Sequence, residues 1–137
     1  MITNIIRNNK LVMKKWFIPG NVSSSKNSRV FNARMKRSFA SPAVQKWKRE
    51  SKQYWKNYKQ EFLDELEGLE KPYLIEFTFI RKTRHKFDYI NPAQTIQDEM
   101  VHHGWLEDDN ADEMIPVFKP YVYDKDNPGV YISIIKK

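Results

Sequence analysis

The sequence predicts a single α/β (α+β) domain, in which a mixed β-sheet of about four strands packs with two main helices. The 137 residues are enough for one hydrophobic core, which a hydrophobic content of 40% and an aromatic content of 14% can fill. Segments with alternating apolar residues and segments with helical spacing follow one another as strand, helix, strand, helix, strand, strand. Residues 1–137 therefore form one predicted domain, with 1–10 as a flexible N-terminus.

The first strand is predicted at residues 11–20, where apolar residues such as Trp16 and Ile18 precede a Pro-Gly pair. Residues 20–40 then contain small polar residues and five cations but no acid, which is typical of an irregular loop. Loops of this length in a compact domain are usually functional or mobile. Its lysines and arginines suit contacts with phosphate groups.

A long first helix is predicted from Ser41, as N-cap, and Pro42, as first-turn residue, to about Gly68. Its inner face is predicted from apolar residues at helical spacing: Val44, Trp47, Tyr54, Tyr58, Phe62 and Leu66. Its opposite face is basic and consists of Lys46, Lys48, Arg49, Lys52, Lys56 and Lys59. The inner face indicates a core helix, whereas the basic face fits either solvation or contact with DNA.

A half-buried strand is predicted at residues 72–81, where apolar and polar residues alternate. Asn91, as N-cap, and Pro92 begin a second helix that runs to about His103, with Gly104 as its stop. The predicted inner face of this helix consists of Ala93, Ile96, Gln97 and Met100. Two further strands follow and are joined by the turn-like sequence DKDNPG.

The charge is distributed unevenly along the chain. Residues 1–60 contain fifteen Lys or Arg and one acid, a net charge of +14, whereas residues 61–137 contain nine and sixteen, a net charge of −7. A basic segment beside an acidic one favours contact with nucleic acid, because neutralised phosphates release counterions. The alternative interpretation is a solubilising surface.

Several classes of protein and of site lack their sequence signals. The chain has no apolar run of about 18 residues, no signal-peptide pattern and no cysteine, so a cytoplasmic protein is expected. The patterns G-x-x-x-x-G-K-[ST], G-x-G-x-x-G and G-x-S-x-G do not occur. Adjacent His102 and His103 point about 100° apart on a helix, which does not favour a shared metal ion.

Carboxylates are the better candidates for chemistry. Asp88 follows a strand, and Asp108 and Asp109 follow the next helix, so the chain can return them near Asp88. Hard oxygen ligands suit Mg²⁺, as phosphodiester hydrolysis requires. In the alternative interpretation Asp88 pairs with Lys86 or Arg84, and the other acids are a solvated loop.

A basic run at residues 84–86 is followed by Asp88, Asn91, an acid inside the helix, a glycine that ends the helix and an Asp-Asp pair. This order and spacing resemble the RusA family of Holliday junction resolvases, small endonucleases frequent in phages and prophages. Its signature is a basic run, D-x-D-N, a lysine four residues after the second Asp, D-A-L in the helix, a glycine and D-D. The Pro-containing turn, polar loop and helix in the first half of the chain are also similar to the family's plan.

The resemblance implies a homodimer that binds branched DNA, the Holliday junction above all, and cuts it with Mg²⁺ or Mn²⁺ in the cytoplasm of a bacterial or phage-infected host cell. The implied catalytic residues are Asp88, Asp109, Asp108, Asn91 and Asp98. The implied metal ligands are Asp88, Asp108 and Asp109. The implied DNA-binding residues are Lys26, Arg29, Arg34, Lys36, Arg37, Arg84 and Lys86.

Two positions depart from the family's signature. Ile90 replaces the second aspartate and offers no oxygen to a cation. Gln94 replaces the catalytic lysine and cannot supply positive charge to a developing oxyanion. Either the site is rebuilt, with Asp98 one turn from Gln94 and a cation such as Lys86, or the chain is a catalytically impaired protein that binds branched DNA. A basic RNA-binding or ribosome-associated protein is a third alternative.

Overall fold

The computed structural model describes residues 5–7, 10–22, 29–32, 37–40 and 42–136. Its elements in chain order are β1 (Ile5–Arg7), β2 (Lys10–Val12), β3 (Lys15–Pro19), β4 (Arg29–Asn32), β5 (Arg37–Ala40), α1 (Pro42–Leu66), β6 (Tyr73–Arg81), α2 (Ile90–His102), β7 (Met114–Phe118), β8 (Val122–Tyr123) and β9 (Gly129–Ile135). A mixed five-stranded sheet and two helices form one small domain, which confirms the predicted α+β class.

The five-stranded sheet has the order β3-β9-β6-β7, and β8 also pairs with β6. Strand β9 is antiparallel to β3 and β6, whereas β7 and β8 run parallel to β6. Parallel neighbours require a crossover, which α2 provides between β6 and β7. Strand β6 alternates as predicted, because Ile75, Phe77 and Phe79 are buried while Glu76 and Thr78 between them are half-buried.

Helix α1 confirms the predicted long helix, but its inner face differs from the prediction at several positions: Ser51, Trp55 and Glu65 are buried, Tyr58 is half-buried and Tyr54 is exposed. Trp55 is fully buried, whereas Tyr54 is 37% exposed. The hydroxyl of Ser51 accepts a hydrogen bond from the Trp55 indole N–H at 3.1 Å. Because this buried position holds a polar residue, the apolar spacing of the sequence did not reveal the true inner face of the helix. The predicted N-cap Ser41 lies outside the described residues. Among the residues described, no helix is both long and apolar enough to cross a membrane.

Helix α2 begins earlier than the sequence predicts. Its N-cap is Tyr89, which makes no side-chain capping bond, so the prediction of Asn91 as N-cap is wrong. The Asn91 N–H donates to the Asp88 carbonyl at 3.1 Å, and Pro92 falls in the first turn, where its missing N–H costs no intrahelical bond. The helix therefore starts at Ile90, immediately after the segment that carries Asp88.

The predicted stop of α2 at Gly104 is confirmed. Gly104 adopts a φ of 79°, a left-handed conformation that glycine adopts without steric cost. The Gly104 N–H donates to the Val101 carbonyl at 3.1 Å, and the Trp105 N–H donates to the Met100 carbonyl at 2.8 Å. These two bonds form a Schellman motif, which turns the chain sharply into the acidic loop that follows.

Two short hairpins, β1–β2 and β4–β5, were not predicted from the sequence. Strands β4 and β5 pair antiparallel within residues 20–40, so the prediction of an irregular loop is wrong for these eight residues. Strands β1 and β2 pair antiparallel, which places strand structure in part of the N-terminus predicted to be flexible. The predicted first strand at residues 11–20 accordingly divides between β2 and β3. Residues 1–4, 8–9, 23–28, 33–36 and 41 lie outside the described residues.

The core between α1 and the sheet is aromatic. The rings of Trp105 and Phe62 stack with centroids 4.6 Å apart, and the rings of Trp55 and Trp105 meet edge to face at 5.0 Å. The Trp105 indole N–H donates to the Trp55 carbonyl at 2.9 Å, which satisfies this buried donor. Trp105 directly follows the Gly104 turn, so it fixes the start of the acidic loop to α1.

Candidate functional site

The acidic cluster consists of Asp98 on α2 with Asp108 and Asp109 in the loop after it. Burial raises the pKa of the Asp109 carboxyl above its usual range, and the negative charges of Asp98 and then Asp108 raise it further. Asp108 is the neighbour of Asp109 in the sequence, whereas the charge of Asp98 acts on Asp109 because the fold returns the loop towards α2. Asp98 and the Asp108-Asp109 pair are about ten residues apart in the sequence, and the turn at Gly104 reverses the chain between them.

Asp108 uses both carboxylate oxygens to order its own loop. Its Oδ1 accepts the Asp109 N–H at 2.7 Å, and its Oδ2 accepts the Asn110 side-chain amide at 3.2 Å. The Oδ1 of Asn110 in turn accepts the N–H groups of Asp112 and Glu113 at 2.9 and 3.1 Å. These local bonds hold Asp109 half-buried in the loop.

Gln94 supports Asp98 and leaves the charge of the cluster unchanged. Its Nε2 donates to Asp98 Oδ1 at 2.9 Å, which confirms the predicted proximity of these residues one helical turn apart. Ile90, at the start of the same helix, is 70% exposed and adds no ligand oxygen. Of the two positions that depart from the family's signature, Ile90 is an exposed apolar residue and Gln94 is an amide that hydrogen-bonds to the Asp98 carboxylate.

The carboxylates of the acidic cluster are hard oxygen ligands, the type that Mg²⁺ and Mn²⁺ prefer. Mg²⁺ is usually held by one or two carboxylates together with waters and substrate phosphates, and Asp98 and Asp109 are two carboxylates whose mutual repulsion a cation would relieve. Within the described part of the chain, no group of three or more His, Cys, Asp or Glu has the geometry to hold a metal ion, so Asp98, Asp108 and Asp109 do not form a three-carboxylate site as they stand. A bound ion would supply Lewis-acid polarisation of a phosphate oxygen.

Asp88 precedes α2, whereas Asp108 and Asp109 follow the helix. Asp88 is exposed and lines a shallow depression of about 510 Å³ between the end of β6 and the start of α2. The lining residues are Arg84, His85, Lys86, Phe87, Asp88, Tyr89 and Tyr121. A shared ion between Asp88 and Asp109 stays a prediction.

The predicted DNA-binding residues Arg84 and Lys86 line the same depression as Asp88 and are exposed. The guanidinium carbon of Arg84 lies 4.2 Å from the ring centroid of Tyr123. In the part of the chain that is described, neither cation forms an ion pair with an acid, so the structural alternative of a pair with Asp88 is not observed.

Arg81 is a candidate functional residue that sequence patterns did not indicate. It ends β6, and its guanidinium carbon lies 4.1 Å from the ring centroid of Phe87. Burial lowers the pKa of Arg81 from its ordinary value. The available signal was Tyr123, an aromatic residue of β8 whose backbone pairs with Arg81 at the end of β6.

The remaining predicted phosphate contacts lie in the first half of the chain. Arg29 and Arg37 are the first residues of β4 and β5, whereas Lys26, Arg34 and Lys36 lie outside the described residues. The predicted basic face of α1 is solvent-accessible, with exposed residues Lys46, Arg49, Lys52, Lys56 and Lys59. Lys48 is half-buried and lies 3.9 Å from Glu99, so it joins α1 to α2.

No family model and no curated protein matches this chain. The resemblance to the RusA family therefore depends on the spacing of the residues quoted above.

Proposed function

We propose that this chain is a metal-dependent endodeoxyribonuclease that cuts branched DNA, of which the Holliday junction is the preferred form. One observation carries the proposal: the turn at Gly104 returns the chain after α2, so that Asp109 is half-buried and subject to the negative charge of Asp98 on the helix as well as that of Asp108. Carboxylates gathered without a cationic partner are typical of sites for hard divalent ions. Their spacing relative to Asp88 and Gly104 agrees with the resembled family.

The residues take distinct roles in the proposed site. Asp109 and Asp98 would hold the ion, and Asp108 would order the loop that carries Asp109. Gln94 keeps Asp98 in place through its amide. Lys86 and the neighbouring Arg84 would attract the phosphates of the DNA strand, since they are exposed and have no acidic partner among the residues described.

The charge distribution supports DNA as the substrate. Residues 1–60 carry a net charge of +14, and the described part of this segment presents an exposed basic face on α1. Such a surface releases counterions when it neutralises phosphates, so the affinity for DNA falls steeply with salt. A homodimer with two equivalent sites suits a junction that has two equivalent strands to cut.

The proposal is tested with a labelled four-way junction incubated in Mg²⁺ or Mn²⁺ with the wild-type chain and with Asp109→Asn. Wild type is expected to give nicked products, and Asp109→Asn to lose at least about a hundredfold in rate while it still binds the junction, because only a ligand to the ion is removed. Asp112→Asn is the matched control, since Asp112 is an exposed acid of the same loop that has no assigned role at the ion. Cleavage by Asp109→Asn at the wild-type rate would sink the assigned site.

A junction-binding protein that does not cut is the second candidate. It is favoured by Ile90, which is 70% exposed at a position where the resembled family has a carboxylate, and by Gln94, an amide where the family has a lysine. The same assay separates the two candidates: a mobility shift with the junction and no product in either metal supports this second candidate and contradicts the first.

A further inference from the structure

Two arginines at the depression at the end of β6 lie over aromatic rings. Arg84 lines the depression and lies over Tyr123, with 4.2 Å from guanidinium carbon to ring centroid, and Arg81 lies over the lining residue Phe87 at 4.1 Å. The ring of Phe87 also meets the ring of Tyr121 edge to face at 5.2 Å. Each guanidinium is thereby held next to a ring without a carboxylate partner.

These arginines lack counter-ions within the described part of the chain. No ion pair joins Arg81 or Arg84 to an acid, and the Nε of Arg81 is buried without a hydrogen-bond acceptor. Removing a cation from water without a partner is unfavourable, and a phosphate that accepts two N–H groups would offset that cost. The local chemistry therefore fits an anionic ligand.

Exposed aromatic rings stand beside these cations. Tyr121 lines the depression and is 36% exposed, and Tyr123 is 39% exposed. The Tyr121 N–H donates to the hydroxyl of Tyr89 at 2.9 Å, which fixes the segment that carries both tyrosines. Proteins that bind single-stranded nucleic acid combine these two elements, because cations track the backbone while rings stack on unpaired bases.

We propose that this depression binds one unpaired nucleotide of the DNA, with the base stacked on Tyr121 and the phosphate held by Arg84, which lines the depression, and by Arg81, which lies on the lining residue Phe87. The inference rests on the proposed function for DNA as the ligand. It adds that the substrate contains an unpaired nucleotide, which the acidic cluster would not contact. Bases inside a duplex are paired and stacked, so their faces are not available to Tyr121. The depression would therefore favour branch points, flaps and gaps over continuous duplex.

The test measures binding of a fluorescently labelled, single-stranded oligothymidylate by anisotropy in EDTA, which prevents cutting. Tyr121→Ala is expected to weaken binding about tenfold, because a stacking contact is lost, and Tyr121→Phe to stay within about twofold of wild type. Arg81→Ala is expected to weaken binding by a similar factor. Tyr131→Ala is the matched control: Tyr131 is also 39% exposed and has Lys15 5.9 Å from its ring, but it lies outside the depression.

A second readout reports on stacking itself. An oligonucleotide with a single 2-aminopurine is expected to show base fluorescence that changes on binding to wild type and changes less with Tyr121→Ala. Affinities within about twofold of wild type for both Tyr121→Ala and Arg81→Ala would overturn the inference. So would equal losses in Tyr131→Ala and Tyr121→Ala.

The outcomes separate this inference from the proposed function. A wild-type chain that cuts four-way junctions in Mg²⁺ but does not bind oligothymidylate contradicts the nucleotide site and leaves the nuclease proposal in place. A chain that binds oligothymidylate through Tyr121 but yields no cut product in either metal supports the nucleotide site and contradicts the nuclease proposal.

Discussion

The segment before α2 is mainly basic, with Asp88 as its one acid, and the segment after α2 is acidic, but the fold holds the two kinds of charge by different means. Before the helix, Arg81 and Arg84 lie on aromatic rings. After it, Asp108 and Asp109 lie in a loop built from side-chain bonds to backbone N–H groups. The helix dipole opposes both arrangements, since a helix carries partial positive charge at its start and partial negative charge at its end.

The difference between the two regions indicates what each would bind. Rings hold a guanidinium in a fixed plane and leave its N–H groups free for a planar or tetrahedral anion. In the loop after α2, burial and then the neighbouring carboxylates raise the pKa of Asp109, and carboxylate oxygens favour a compact cation. A DNA strand bound across α2 would supply the anion at one end and, with its metal ion, the cation at the other.

Removing charge from the arginine-containing region is expected to have the larger effect on DNA binding. The double variant Arg84→Ala with Lys86→Ala should weaken junction binding about tenfold at low salt and reduce the slope of log affinity against log salt by about two, since each cation neutralises one phosphate. The measurement is a salt titration of junction affinity by anisotropy. Lys125→Ala, an exposed cation in the turn between β8 and β9, is the control and should leave the slope almost unchanged.

An unchanged slope in the double variant would show that these two residues do not contact phosphates. Phosphate binding by the segment before α2 would then be contradicted, while the proposal for the acidic cluster after α2 would be unaffected.

A smaller effect is expected on proton binding in the acidic cluster. Asp98→Asn should lower the pKa of Asp109, because it removes a negative charge that disfavours the ionised carboxyl. The substitution keeps an oxygen that can accept the Gln94 amide. The measurement is a ¹³C NMR titration of the Asp109 carboxyl carbon, with Asp112→Asn as control.

The same shift gives a pH dependence of stability with a defined sign. A raised pKa in the folded chain means that Asp109 stabilises the fold fully below its unfolded pKa, and this contribution is lost as the pH rises through the folded pKa. Asp98→Asn should reduce that loss. A pKa of Asp109 that stays the same or rises in Asp98→Asn would contradict the proximity on which the acidic cluster depends.

Local sequence signals predicted the elements that carry these regions. The apolar spacing of α1, the alternation of β6 and the glycine stop of α2 depend on neighbours along the chain, so they were predicted from sequence. The start of α2 was misplaced because a Ser/Thr/Asp/Asn rule selects Asn91, whereas the Asn91 N–H bonds to Asp88 and Tyr89 becomes the cap. The β4–β5 hairpin was missed because its strands are short and lie within polar sequence.

The candidate site was predicted in part. The proximity of Gln94 and Asp98 follows from helical spacing and is confirmed. The cation–π contacts of Arg81 with Phe87 and of Arg84 with Tyr123 were not predicted. They depend on how β8 and the segment after β6 meet in three dimensions. The placement of Asp88 near Asp109 depended on resemblance, and a shared ion between them stays a prediction.

The central claim is that the acidic cluster binds a divalent metal ion. Crystals of the wild-type chain soaked in Mn²⁺ test it directly by anomalous diffraction. The expected result is a peak within ligand distance of the Asp109 carboxylate, next to Asp98 or Asp108, that is lost in crystals of Asp109→Asn. Crystals with no peak at Asp109, or with Mn²⁺ bound only to other residues, would contradict the claim.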